Sequence, residues 1–254
     1  MRVLRFSVGD EIFYGVREEN STRVTALKGD PLFSVPTPNG KVFDLDEVRL
    51  LSPVIPRSKV ICAADSYAST DNVDFPESPV FFLKPNTAVI GPDDPIVLPK
   101  YAESITGEVE LAVVVKTMCK NLTPEQVPNI VFGWTIANDV TAHGPGLEGL
   151  TAARKGFDTS CPLGPELYVG DFSEVDHLTF SSSVDGTEYQ SGTTSEIKGS
   201  IAQWVAAASR ITTLLPGDIV LTGSVSGAPT LSSGQKMTCQ IEPIGELTNP
   251  VLSR

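Results

Sequence analysis

Histidine, basic side chains and long apolar runs are what this sequence is short of. Only two of its 254 residues are histidine, His143 and His177. That excludes the metal hydrolases whose zinc is held by two or three imidazoles. Nineteen Lys and Arg stand against 31 Asp and Glu, a net charge of −12. A surface of that sign repels phosphate backbones, so a nucleic-acid partner is excluded and a small-molecule partner is expected. Nowhere do about 18 apolar residues run together, and the opening stretch MRVLRFSVGDEIFYGVREE interleaves charge too densely for a signal-peptide core. The expectation is a cytoplasmic protein with no membrane contact. Cys62, Cys119, Cys161 and Cys239 lie far apart without a C-x-x-C pair, which favours reduced core thiols over a disulfide framework or a zinc ribbon.

Hydrophobic residues make up 41% and charged residues 20% of the chain, ordinary proportions for a globular protein with a sizeable core. The first 53 residues read as a small β-rich module. Val3 to Val8 and Glu11 to Val16 flank a Gly9-Asp10 turn, Arg23 to Leu27 forms a further strand, and prolines punctuate the end of the module. The larger unit, 54–254, is a succession of apolar strands: Lys59–Ala63, Val80–Lys84, Glu108–Lys116, Phe132–Asn138, Leu178–Val184, Asp218–Thr222 and Lys236–Glu242. Asp185-Gly186 marks a hairpin leading into Thr187–Gln190. One helix is expected from Ser195 to Leu214, because Ile197, Ile201, Trp204, Val205, Ala208 and Ile211 recur at helical spacing before Pro216-Gly217. A short second helix opens at Thr123, with Pro124 at its first position and Gln126 at its third. The fold class is therefore α+β, dominated by strands.

The chemistry concentrates in a few segments. Glu108 and Glu110 stand two apart at the head of an apolar strand, so they project from one face and reach one point in space. Like charges at that distance repel unless a cation sits between them. By itself E-x-E more often describes a solvated strand edge. A second apolar strand ends in Asp139, which alone could equally form a turn. Lys155, in the stretch RKGFDT, could face an anionic group. The glycine-containing loop LTGSVSG lets a ligand approach backbone, yet it has no lysine at phosphate-loop spacing.

In order, FFLKPNTAVIGP, EVELAVVV, GWTIANDVTA, KGFDTSCPLGP, VDGTEYQ, LLPGDIVLTGSVSG and IGELTNPV resemble the fumarylacetoacetate hydrolase superfamily, from about Lys59 to Val251. The resemblance implies a mixed β-sandwich or β-roll fold and a homodimer. It also implies a divalent cation held by Glu108, Glu110 and Asp139; three hard oxygen donors suit Mg²⁺ or Mn²⁺. In members with a fourth carboxylate, that ligand lies in a D-x-Y-x-S stretch, here Asp65-Ser66-Tyr67-Ala68-Ser69, making Asp65 an extra ligand and Tyr67 a substrate contact. Lys155 resembles the lysine beside the substrate oxygen, Thr222 and Gly223 match the loop near the bound carboxylate, and Gln190 matches a glutamine counted with the substrate-binding set.

Two departures stand out. Members that hydrolyse carbon–carbon bonds resemble one another in a lid His-Glu pair. Here the aligned positions are Thr70 and Val73 in one frame and Asn72 in another, none of them a histidine. The usual N-D-x-S-A-R-D reads N-D-V-T-A-H-G, placing His143 and Gly144 where Arg and Asp are expected. His143 could serve as acid or base near neutral pH; Asp71 reads better as a turn residue, and His177 as structural.

Three functions follow. The first is a metal-dependent enzyme acting on a keto acid or 1,3-dicarbonyl compound through a stabilised enolate, with decarboxylation or keto–enol isomerisation favoured because neither needs activated water. The second is a carbon–carbon hydrolase with a relocated base. The third is a catalytically silent metal- or ligand-binding relative.

Overall fold

The computed structural model describes residues 1–67 and 73–253. The positions Thr70, Asp71 and Asn72 singled out above lie outside the described residues.

The largest sheet is built, in order of neighbouring strands, from Pro38–Asp44, Arg23–Leu27, Glu11–Arg17, Arg2–Val8, Cys161–Tyr168, Val131–Asn138, Val109–Val115, Ile219–Leu221, Val60–Ala64 and Val80–Lys84. Most pairs are antiparallel, but Ile219–Leu221 runs parallel to Val60–Ala64. The sequence VELAVVV sits centrally, and all seven residues of Val109–Val115 are buried. Its continuous apolar character is what a strand covered on both faces requires. A five-stranded sheet, Thr187–Thr193, Thr179–Val184, Lys236–Ile241, Gly245–Ser253 and Ile96–Leu98, packs against it. There the burial alternates: Phe180, Ser182 and Val184 face inward, as do Met237, Cys239 and Ile241. Leu111, Val113, Trp134 and Ile136 of the large sheet join Met237, Cys239 and Leu247 of the smaller one in a single core, which also takes in Trp204 and Val205 of the helix Ile201–Ile211. The architecture is the strand-dominated α+β layering expected, and no helix among the described residues is long and apolar enough to cross a membrane.

The expected helix from Ser195 to Leu214 is corrected to Ile201–Ile211. Thr193 caps a separate 3₁₀ turn, Thr194–Glu196, and Gly199 takes φ +76, which breaks the helical path before Ser200 caps the true start. Ile197 is buried, but outside the helix. The expected helix after Thr123 is a 3₁₀ segment, Pro124–Asn129, with the Thr123–Gln126 capping box in place. Two long strands escape a reading by propensity. Cys161–Tyr168 contains Pro162, Gly164 and Pro165, and Gly245–Ser253 contains Pro250; punctuating residues of this kind read as turns when seen without their neighbours.

The N-terminal strands do not hang free. Arg2 and Val3 pair with Tyr168 and Leu167, and the buried Glu166 carboxylate receives Arg2 Nη1 at 2.6 Å and Arg17 Nε at 2.8 Å. Removing one partner of a buried charge cluster leaves the others uncompensated. Glu166→Ala is therefore expected to lower unfolding free energy by about 3 kcal/mol in urea titrations, while Glu11→Ala, at an exposed pair with Lys41, leaves it within about 0.5 kcal/mol.

Candidate active site

Glu108 and Glu110 enter the site because the strand Val109–Val115 pairs in register with Val131–Asn138, Val109 opposite Asn138. That register sets Glu108 beside Asp139, whose backbone N–H donates to the Glu108 carbonyl at 2.9 Å. Asn138 Oδ1 accepts from the Glu108 N–H at 3.0 Å and fixes the same corner. Glu110 is 3% exposed and Asp139 1%. Two acids from one strand and one from its neighbour thus line a cavity of about 740 Å³, together with Asp65, Tyr67, Phe82, Lys155 and Gly223.

Two cations face these acids. Lys155, at the end of the short helix Thr151–Lys155, pairs with Asp139 Oδ2 and lies 3.5 Å from Glu108 Oε2, its ammonium 4.6 Å from the centre of the Phe82 ring. Lys84, wholly buried at the end of Val80–Lys84, donates to the carbonyls of Val140, Lys155 and Ser160 at 3.0, 2.7 and 2.8 Å. Its ammonium is 2.7 Å from Asp139 Oδ1. Lys84 thus carries a buried ion pair to Asp139 as well as its three backbone contacts.

The three acids titrate differently as a result. Burial tends to raise the Asp139 pKa, but Lys84 and Lys155 outweigh it and hold the carboxyl below its ordinary range. Burial, then the charge on Asp139, raises Glu108 and pushes Glu110 well up. Burial works against the Lys155 charge, yet Asp139 and Glu108 carry its pKa above the usual lysine value. Glu110 is further anchored by the Gly223 N–H, 2.6 Å from its Oε2.

The remaining expected residues divide. Tyr67 lines the cavity and is buried edge-on against Phe180, its hydroxyl without a hydrogen-bond partner among the described residues. Asp65 is exposed at the rim with φ +53, and its carbonyl accepts from Lys198 Nζ at 2.8 Å. Thr222 lies behind the wall, its hydroxyl donating to the Leu111 carbonyl and its own carbonyl accepting from Ser66 Oγ. Gln190 also stands outside the lining. Its amide is fully used, accepting from the Val109 N–H and Ser182 Oγ and donating to Ser224 Oγ and the Val225 carbonyl, so it braces the loop that carries Gly223. His143 closes the strand Thr141–His143 with Nε2 2.9 Å from Thr106 Oγ1 and does not line the cavity; His177 does not either. Lys84 was missed by sequence reasoning, since a lysine ending VFFLK carries no signal of burial. Val73, the aligned lid position within the described residues, is exposed, and its carbonyl accepts from the Gly199 N–H.

Among the described residues no trio of His, Cys, Asp or Glu is already spread into a metal cage, the Lys155 ammonium being drawn onto Asp139 and Glu108 instead. The donor set nonetheless fits a hard divalent cation: three carboxylates on one wall, all oxygen donors with no thiolate or imidazole among them.

Two outcomes test the geometry. Gly223 has φ +85, and a Cβ there would lie 1.8 Å from Ser66 Oγ. Gly223→Ala is expected to cost about 1–3 kcal/mol in thermal denaturation, with the Ser66→Ala/Gly223→Ala double variant recovering part of the loss. The His143 pKa is lowered by burial, then by Arg154 and Lys155. Below about pH 6.5 the unfolded chain therefore binds a proton the native chain refuses, and stability falls with pH. Urea unfolding between pH 7 and pH 5 should lose stability less steeply in His143→Gln than in the unaltered protein.

The family described as fumarylacetoacetate (FAA) hydrolase C-terminal matches residues 59–252, and that described as Rv2993c-like, N-terminal, matches residues 1–53. Protein Rv2993c of Mycobacterium tuberculosis is 40% identical over 233 residues, 87% of this chain and 85% of that protein. Oxaloacetate tautomerase Fahd2a, mitochondrial, of Rattus norvegicus is 35% identical over 221 residues, 81% of this chain and 70% of that protein. Among solved structures, 5-carboxymethyl-2-hydroxymuconate delta-isomerase from Mycobacterium smegmatis covers 100% of both chains at 34% identity with a TM-score of 0.89. Maleylpyruvate hydrolase from Sphingobium sp. SYK-6, in complex with manganese (II) ion and pyruvate, covers 100% of this chain and 99% of its own at 26% identity with a TM-score of 0.82. With more than three-quarters of its length matched and its strands layered in the same way, the chain belongs to the fumarylacetoacetate hydrolase family.

Proposed function

We propose that this protein is a Mg²⁺- or Mn²⁺-dependent enzyme that interconverts the keto and enol forms of a small keto acid or 1,3-dicarbonyl compound. The observation that carries this reading is the convergence of Glu108, Glu110 and Asp139 on one cavity wall beside Lys155, with neither of the chain's two histidines in that wall. Hydrolysis needs a base positioned to activate water, whereas isomerisation, which moves a proton between carbon and oxygen of the substrate, and decarboxylation consume no water. Between those two, the names of relatives, a tautomerase and an isomerase, favour isomerisation.

Glu108, Glu110 and Asp139 are the residues that would hold the cation, with Asp65 at the rim as a further donor. The cation, when bound, supplies Lewis-acid polarisation of the substrate oxygens. Lys84 holds Asp139 ionised and oriented from behind. Lys155 stays protonated and offers an N–H to the oxygen on which enolate charge gathers. Tyr67 keeps its proton as well, because burial and then Glu110 raise its pKa, and its hydroxyl, lining the cavity, is a donor available to substrate. Gly223 leaves room at the backbone, Thr222 and Gln190 fix the loop that bears it, and Phe82 forms an apolar face against the Lys155 ammonium. The assembly proposed is a homodimer, on the family resemblance.

Oxaloacetate enriched in its enol form, followed by absorbance and mass spectrometry with Mn²⁺ added, tests the reading. Isomerisation changes the enol absorbance without changing mass; release of CO₂ assigns a decarboxylase, and addition of water with fragmentation assigns a hydrolase. Glu110→Gln, with folding checked by circular dichroism, is expected to lower the Mn²⁺-dependent rate by on the order of 10²- to 10³-fold. An unchanged rate overturns the role given to the carboxylates.

A further inference from the structure

The cavity rim carries a lysine beside the proposed cation site, an arrangement that charge alone disfavours. Lys198 and Asp65 both line the cavity, Asp65 following directly on the strand Val60–Ala64. A lysine next to an aspartate on an acidic wall is expected to settle on a carboxylate. Lys198 does not: its Nζ donates to the Asp65 backbone carbonyl at 2.8 Å. Among the described residues the Asp65 carboxylate enters no ion pair and no hydrogen bond. The lysine backbone is held as firmly as its side chain. Its N–H donates to the Ser66 carbonyl at 2.8 Å, and its own carbonyl accepts from the indole of the wholly buried Trp204 at 2.9 Å. The neighbouring residues Ile197 and Tyr67 form an antiparallel bridge.

What this clasp holds is a strained corner. Asp65 has φ +53, a left-handed conformation that a residue with a Cβ keeps only where its surroundings impose it. Ser66 donates its hydroxyl to the Thr222 carbonyl at 2.6 Å, and the Gly223 N–H in turn meets Glu110. The corner is therefore gripped by Lys198 on one side and by the loop bearing Gly223 on the other. We infer that Lys198 is a positioning residue: by holding the Asp65 carbonyl it fixes the left-handed corner and leaves the Asp65 carboxylate free to serve as a cation donor at the rim. An ammonium on the carboxylate itself would instead compete with the cation. This rests on the reading of the cavity as a cation site and adds to it the residue that sets its outermost donor.

Mn²⁺ affinity, read from the electron paramagnetic resonance signal of free Mn²⁺, is compared in the unaltered protein, Lys198→Met, Asp65→Asn and the double variant. Asn tolerates the left-handed corner, so Asp65→Asn removes the charged donor alone. Lys198→Met should weaken Mn²⁺ binding about 10-fold, the lower end of what partners behind a metal ligand are worth. The same change made in Asp65→Asn should cost nothing, because the donor it positions is gone. A purely electrostatic role predicts the opposite sign, since deleting a positive charge beside the site tightens cation binding. Tighter or unchanged binding in Lys198→Met, or an equal loss in both backgrounds, overturns the assignment. Deuterium exchange of residues 61–67, measured without Mn²⁺, keeps the two claims apart and should rise in Lys198→Met. No Mn²⁺ binding by the unaltered protein together with that rise contradicts the cation reading and leaves the clasp. Mn²⁺ binding without the rise contradicts the clasp and leaves the cation reading.

Discussion

A carboxylate removed from water stays ionised only where cations replace the water, and Asp139 is the residue at which this protein meets that requirement. Lys84 reaches it from the strand Val80–Lys84 and Lys155 from the helix Thr151–Lys155, while its backbone is tied to Glu108. Two strands and a helix are thereby fixed to one atom group, and the positions of Glu108 and Glu110 follow from the strand register. The cost of burying so many charges is met only because each has a named partner: backbone carbonyls for Lys84, two acids for Lys155, the Gly223 N–H for Glu110. Such a network rewards completeness. A single unpaired member would be expensive, and Asp139 accordingly has an ammonium at each oxygen, Lys84 at Oδ1 and Lys155 at Oδ2.

The scaffold around this cluster is correspondingly rigid. Val109–Val115 is buried along its whole length between neighbouring strands, so the Glu110 side chain leaves a backbone that cannot shift without disturbing the core. On the other side, the Gly223 loop is braced by Gln190 and by the Ser66 hydroxyl on the Thr222 carbonyl. The N-terminal strands contribute at a distance: they extend the same sheet and lock to it through Glu166, leaving the cavity wall to the later strands.

Much of this was legible in the sequence where local chemistry decides the outcome. Strands with uninterrupted apolar character and the Glu108/Glu110 spacing required only periodicity, whereas the joining of Asp139 to that pair was implied by the resemblance of the ordered segments to the fumarylacetoacetate hydrolase superfamily. The legible part ends where neighbours decide. Cys161–Tyr168 is a strand despite two prolines because flanking strands supply its pairing. The helix before Ile201 is broken by the conformation of one glycine, which apolar spacing does not register. Lys84 reads as an ordinary basic residue until three carbonyls and a carboxylate are seen around it. Gln190 and His143 mark the converse limit. Motif position associates both with the site, but side-chain geometry commits one to bracing a loop and the other to Thr106.

The chain's scarcity of histidine gives this family member its character: an acidic wall, a lysine paired to it, an arginine in the same lining, and both imidazoles elsewhere. What such a wall can do without an imidazole base is hold a cation and stabilise an enolate. A crystal grown with Mn²⁺ and examined by anomalous scattering tests that directly. The account predicts an anomalous peak bounded by Glu108, Glu110 and Asp139, with the Lys155 ammonium moved off Asp139 to make room. No peak at these carboxylates under saturating Mn²⁺, with Lys155 still paired to Asp139, would contradict it.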